Sequence, residues 1–337
     1  MPYLCIMSCG NRRLIVLLTV AVILISGIAI AVHVANHSDD HRKTIAIAWR
    51  TNQSSETYVN TCRSVEEAGG KLVRLGQVFF YDLDYDDSGK LIDAVDSIGA
   101  LSLSAADTVK SNTWHNSNAE EMLKGVDFVI FPGGDDISPS LCRDPQEWEG
   151  EDDDRCFDVE RDVSDYVLMS YCLDKDIPFV GICRGMQMLS VISGARMIED
   201  IPIYFKGLSV EYHYEHRNQK DSPDAYRDFA PHDMILYKDS MIERIMGSDH
   251  LTGCPSWHHQ AVRSVENTPL KVTGHTVTDG VDMIESVERT DKKCAFGIQY
   301  HPEASVGKYL DDDDNKGDYM DYDSALRLFR WVVNYSA

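Results

Sequence analysis

Residues 179 to 189 read FVGICRGMQML: an apolar run, a cysteine between two glycines, then a helix-forming segment. A strand that turns sharply into a helix leaves the residue between them strained and exposed at the carboxyl end of a sheet. Gly181 and Gly185 remove the Cβ atoms that would crowd such a turn. The helix then starts at the Cys183 sulfur, where its N-terminal dipole favours an anion. G-x-C-x-G is thus the sulfur version of a nucleophile elbow. Taken alone, it also fits a buried bystander cysteine.

A thiolate nucleophile needs a base, and the base needs a group to orient it. Further along, QYHPE (299–303) offers His301 with Glu303 two positions on, and Pro302 stiffens the turn between them. Upstream, FPGGDDISP (131–139) ends a strand in Pro132-Gly133-Gly134 and leaves backbone N–H groups unshielded by side chains. An N–H of Gly133 or Gly134, with that of Arg184, can form an oxyanion hole. A surface histidine and a plain strand-ending turn are the readings of these two pieces when each stands alone. Together with the elbow, in this chain order, they point to a Cys-His-Glu constellation.

The surrounding pattern is α/β. TIAIAW (44–49), KLVRLG (71–76), VDFVIFPGG (126–134), IPFVGIC (177–183) and CAFGIQYHPE (294–303) read as apolar strands. Helical segments end at Ala68, cover VERDVSDYVLMSYCLDKD (159–176) and RGMQMLSVISGA (184–195), and close the chain with SALRLFRWVVNY (324–335). Buried strands alternating with helices indicate a mostly parallel sheet covered on both faces. Residues 79–118 show no clean period and read as an excursion. The acidic runs 149–154 and 310–323 read as solvated loops. In the second, Gly317 falls at the seventh position from Asp311, where a calcium loop needs glycine at the sixth.

A net charge of −23 excludes nucleic acid as a partner, because phosphate binding needs a basic surface. Residues 14–35 carry no acid or base apart from His33, and Arg12 and Arg13 precede them. That pattern predicts either a single transmembrane anchor with the body outside the cytoplasm, or a cleaved signal peptide. The implied organisation is a basic segment 1–13, a span 14–35, a linker 36–43 and a catalytic domain 44–337. Export would permit disulfides, and Cys142 with Cys156 bracket one acidic loop and are the best local pair. No C-x-x-C or His/Cys run has zinc spacing, so no metal is expected.

The chain resembles the gamma-glutamyl-gamma-aminobutyrate hydrolase family of cysteine peptidases, within the class I glutamine amidotransferase-like superfamily. The resemblance rests on PGGDDISP, ERD, IPFVGICRGMQML, APHD, SWHHQAV, DGV and FGIQYHPE, and covers roughly residues 44–306. It implies a flavodoxin-like fold, Cys183 as nucleophile, His301 as base, Glu303 as orienter and no cofactor. Gln187 and Ser256, Trp257, His258, His259 and Gln260 would line a pocket for a small gamma-glutamyl substrate, although core packing is the other reading of Trp257 and His258. A homodimer is left open. Departures from the family pattern are Gly194-Ala195 for Gly-Gly, Glu199-Asp200 for Gln-Asp, and Glu285 displaced, with Met283 at its expected place. The implied activity is hydrolysis of gamma-glutamyl amides through a thioester. The alternatives are a glutaminase subunit feeding ammonia to a synthase and a non-catalytic binding protein.

Overall fold

The computed structural model describes residues 42–145, 148, 155–219, 227–312 and 319–336. Its centre is five parallel strands in the order β2 (Lys71–Arg74), β1 (Thr44–Ile47), β3 (Phe128–Phe131), β4 (Phe179–Ile182) and β11 (Ala295–Ile298). Strands β3, β4 and β11 are buried along their whole length, which explains their near-continuous apolar sequence. Alternate residues point to opposite faces and build two cores. Ala46, Val129, Phe131 and Phe179 pack beneath α4 (Val159–Lys175) and α5 (Arg184–Ile192). Ile45, Ile130, Val180 and Ile182 pack beneath α1 (Glu56–Glu67) and α9 (Tyr322–Asn334).

The sheet is mixed rather than mostly parallel. Beyond β11 the order continues through β10 (Val281–Arg289), β9 (Leu270–Thr278), β6 (Ala230–Leu236) and β7 (His250–Ser256), all antiparallel. Two short strands, β5 (Arg196–Ile198) and β8 (Ala261–Ser264), pair antiparallel beside β10. The physical reason is legible in β6, whose residues alternate strictly between buried and exposed. One face of that strand is solvated, as antiparallel sheets allow and parallel ones do not.

The single-span architecture expected for residues 14–35, and the anchored placement built on it, are corrected here. Among the described residues no helix is long and apolar enough to cross a membrane. The longest of them, α4, has 17 residues and carries Arg161, Asp162 and Asp165, a polar set held by packing inside the protein. Residues 14–35 themselves lie outside the described residues.

The excursion after β2 hides a short repeat. Tyr85 bridges Leu91, and ten residues later Val95 bridges Leu101. In each turn an aspartate Oδ1 accepts two backbone N–H groups: Asp86 from Ser88 and Lys90, Asp96 from Ile98 and Ala100. Gly89 and Gly99 take the positive φ that each turn requires, +83° and +86°. Side-chain capping of the backbone, not hydrophobic period, organises this stretch.

Candidate active site

Strands β3, β4 and β11 are neighbours, and Phe131 pairs with Gly181 while Gly181 pairs with Gly297. Their carboxyl ends therefore align and deliver Gly133, Cys183 and His301 to one edge, where open α/β sheets place their sites. Cys183 is the N-cap of α5, with φ +51° and ψ −105°, outside the ordinary regions for a residue with a Cβ. Its N–H donates to the Ile298 carbonyl at 2.7 Å, so β11 helps hold the strained turn. A Cβ on Gly181 would overlap the backbone of Gly185, and one on Gly185 would overlap the Phe131 carbonyl. The two glycines admit the close approach of α5 to the sheet.

His301 is the N-cap of α8 (Pro302–Leu310) and is buried. Its Nδ1 sits 2.6 Å from Glu303 Oε1, which fixes the ring. Nε2 is buried and makes no well-formed hydrogen bond. Burial opposes charge on the ring, but the Glu303 carboxylate and the Cys183 sulfur outweigh it and push the pKa up to about 10. These two neighbours thus favour the charged form of the ring. Gly133 lies between the His301 and Cys183 side chains: a Cβ there would strike the His301 ring and lie 3.4 Å from Cys183 Cβ.

A cleft of about 120 Å³ opens beside the sulfur, lined among others by Gly134, Asp135, Cys183, Arg217, Trp257 and His259. Trp257 is the exposed wall. Gln187, His258 and Gln260 also line it, but their amide and ring groups are largely engaged. Gln187 Nε2 donates to the Gln260 carbonyl at 2.7 Å, and His258 Nδ1 lies 2.8 Å from the same carbonyl. Gln260 Oε1 accepts from Ile137 N–H. His259 lies between Asp136 (2.8 Å) and Asp200 (3.0 Å); burial opposes its charge, yet the two carboxylates raise its pKa. Ser256 is buried and donates to the His216 carbonyl rather than facing the cleft.

Three features escape sequence reasoning. Gln299 Nε2 donates to Cys183 Sγ at 3.4 Å, and Gln299 Oε1 accepts from Gln187 Nε2 at 3.4 Å, so an amide relay holds the sulfur. Its position two residues before His301 was the available signal. The Arg184 side chain turns away from the cleft into a buried cluster, where it pairs with Asp162 at 2.5 Å and with Asp165. Arg161 joins through Asp165 at 3.2 Å and donates to the Pro132 carbonyl at 2.7 Å. Third, His216, His258 and Glu285, far apart in sequence, bring donor atoms within 4.8 Å of one another.

The expected Cys142–Cys156 bridge is absent, and both thiols are free. Cys142 is buried and donates to Glu199 Oε1 at 3.5 Å, while the exposed Cys156 faces Asp135 at 3.8 Å. Burial pushes the Glu199 carboxyl up to about 7, against hydrogen bonds from Cys142 and Gln260 that favour its charge. The folded state thus keeps a proton that the unfolded chain releases above the ordinary glutamate pKa of about 4.3. Stability from this group falls as pH rises from there towards 7. Glu199→Gln is expected to flatten that slope in urea titrations at pH 5 and pH 8. An unchanged slope would show Glu199 to be ionised throughout.

A family model described as Peptidase C26 matches residues 90–303. The chain is 30% identical over 186 residues to Protein NtpR of Enterococcus hirae, covering 55% of this chain and 70% of that protein. It is 27% identical over 191 residues to gamma-glutamyl-gamma-aminobutyrate hydrolase of Escherichia coli O157:H7, covering 56% and 69%. Among solved structures, PurLQS from Thermotoga maritima aligns with TM-score 0.48 and 12% identity over 87% of this chain and 99% of that one, a likeness too distant to argue from. The family match takes in Gly133, Cys183, His301 and Glu303 and spans more than half of the sequence: the chain belongs to the Peptidase C26 family.

Proposed function

We propose that the chain hydrolyses gamma-glutamyl amide bonds through Cys183, His301 and Glu303. Cys183 on the cleft, with His301 across Gly133 from it and Glu303 on the His301 ring, carries the reading. The family, and a relative named gamma-glutamyl-gamma-aminobutyrate hydrolase, support it. Cys183 Sγ attacks the gamma-carbonyl carbon, and the oxyanion faces the N–H groups of Arg184 and of Gly133 or Gly134. His301, which starts protonated, gives its proton to the departing nitrogen as the C–N bond breaks and leaves a thioester. Water then attacks the thioester carbonyl and His301 takes its proton. The C–S bond breaks, and glutamate leaves.

Recognition of the glutamate end falls to the charged rim. Burial works against the Asp135 carboxylate, but Arg50 and Arg161 keep it ionised, placing an anion where a substrate ammonium would sit. Arg217 on the same cleft suits the alpha-carboxylate, and Trp257 covers the chain between them. Trp257→Ala is expected to raise KM about tenfold with kcat nearly unchanged, the signature of lost uniform binding. A fall in kcat alone would remove Trp257 from the substrate wall.

The deciding experiment compares gamma- and alpha-linked isomers of glutamyl amides, with free glutamine alongside. We expect kcat/KM to favour the gamma linkage by about 100-fold, or ~2.7 kcal/mol of transition-state binding. Equal rates for the two isomers would refute the specificity. Turnover confined to glutamine would favour an ammonia-supplying subunit, and no turnover of any compound a binding protein.

A further inference from the structure

Beneath the cleft floor lies a set of buried polar groups that the proposed reaction does not use. Glu285 is fully buried, and neither of its carboxylate oxygens has a hydrogen-bond partner. Around it stand His216 Nδ1 at 3.4 Å and His258 Nε2 at 3.8 Å from Oε1, and His232 Nε2 at 3.7 Å from Oε2. All three of these nitrogens are likewise buried and unpartnered. Leaving so many buried polar atoms unsatisfied costs roughly 1–3 kcal/mol for each neutral group and more for a charged one. A native core does not keep five such atoms aimed at one point without something there to bind them.

We infer that His216, His258 and Glu285, with His232 as the fourth donor, form a binding site for a zinc-class divalent cation. Imidazole and carboxylate donors in this number match four-coordinate zinc. With bonds of about 2.0–2.1 Å, tetrahedral donors sit roughly 3.3 Å apart, close to the 3.4 and 3.8 Å that separate His216 and His258 from Glu285 Oε1, while His232 faces Oε2 at 3.7 Å and would draw in. The donor atoms of His216, His258 and Glu285 already lie within 4.8 Å of one another.

Each histidine also has the outer partner that a metal ligand needs. His216 Nε2 lies 2.8 Å from Thr278 Oγ1, His232 Nδ1 3.2 Å from the Asp233 carbonyl, and His258 Nδ1 2.8 Å from the Gln260 carbonyl. Such contacts fix which nitrogen is left to bind metal. The strand geometry agrees. Ile284 pairs with His275 and Ser286 with Gly274, so Glu285 is the extra residue of a β-bulge, a device that re-aims a side chain.

The cation would clamp the loop after α6 (Ile201–Gly207), strand β6, the turn after β7 and strand β10. It would sit behind His258, a wall of the Cys183 cleft, and beside Gln299, whose N–H donates to the Glu285 carbonyl at 2.9 Å. Its role is to hold that wall, with no share in the bond-breaking steps. The ligands are contributed by separate segments, so no sequence motif announces them.

The test uses the full chain, purified without chelator. Elemental analysis is expected to find about one zinc per chain, and chelator dialysis should lower the melting temperature, with recovery on adding Zn²⁺ alone. Loading with Co²⁺ should give the intense visible bands of a four-coordinate site. Glu285→Gln and His258→Gln are each expected to lose about tenfold or more of the bound metal. Should both variants fail to fold, the Co²⁺ spectrum and the chelator response of the unaltered chain still decide. Cys183→Ala should keep the metal, which separates this site from the nucleophile. A protein that takes up no metal from Zn²⁺ and melts unchanged would overturn the inference. So would metal that persists in both ligand variants or vanishes with Cys183.

Discussion

Cys183→Ala is expected to lower kcat for gamma-glutamyl hydrolysis by about 10⁵–10⁶-fold, the scale seen when a nucleophile is removed from a triad that acts as a unit. The rest of the cleft is untouched, so binding of a gamma-glutamyl compound should survive and can be followed by calorimetry. The backbone supplies a second arm. At φ +51° and ψ −105° the residue stores strain of order 1–3 kcal/mol, which glycine would relieve. Cys183→Gly should therefore be as inactive as Cys183→Ala yet more resistant to urea. Hydrolysis by either variant at a tenth of the original rate would refute the nucleophile. A glycine variant no more stable than the alanine one would show that the turn is not strained.

The second large effect concerns Arg184, whose guanidinium and backbone have separate duties. The side chain is fully buried between Asp162 and Asp165, and burial pushes the Asp162 carboxyl up to about 6 even with Arg184 against it. Arg184→Leu leaves Asp162 without its guanidinium partner and Asp165 with Arg161 alone, and is expected to cost about 3–5 kcal/mol, measured by chemical denaturation. Arg184→Lys keeps the charge but loses the two-pronged geometry and should recover only part of this. The proposed oxyanion donor is the backbone N–H, which every substitution retains. Whatever fraction of Arg184→Leu folds should thus keep a near-normal kcat per folded molecule. A large fall in kcat with unchanged stability would assign the side chain to the chemistry instead.

The elbow, the apolar strands around it and the His-x-Glu turn were legible in the sequence because each is a short-range constraint. Glycine must stand where a helix touches a strand, and apolar runs must fill a sheet buried on both faces. The sense of the second half was not legible. Its strand β6 alternates buried and exposed residues, and the apolar strands around Cys183 gave no warning of that half. Arg161, Asp162 and Asp165 sit within an otherwise amphipathic helical pattern, where acids and bases read as a solvated face. Only packing against α5 reveals that they are buried partners of Arg184. Likewise, Glu285 differs from an ordinary strand glutamate only through its bulge, and a bulge is a property of two strands together.

One consequence of β11 concerns time. The strand lies between β4 and β10, and its Ile298 carbonyl receives the Cys183 N–H. On the ribosome it emerges about a hundred residues after the elbow, a delay of roughly 5–20 s at about 5–20 residues per second. Until then β4 has an open edge, and nothing on that side holds the cysteine in its left-handed turn. A nascent chain thus carries a relaxed thiol, and the strained turn is held only when β11 docks. On the proposed mechanism, the same step that closes a sticky edge would switch the chemistry on.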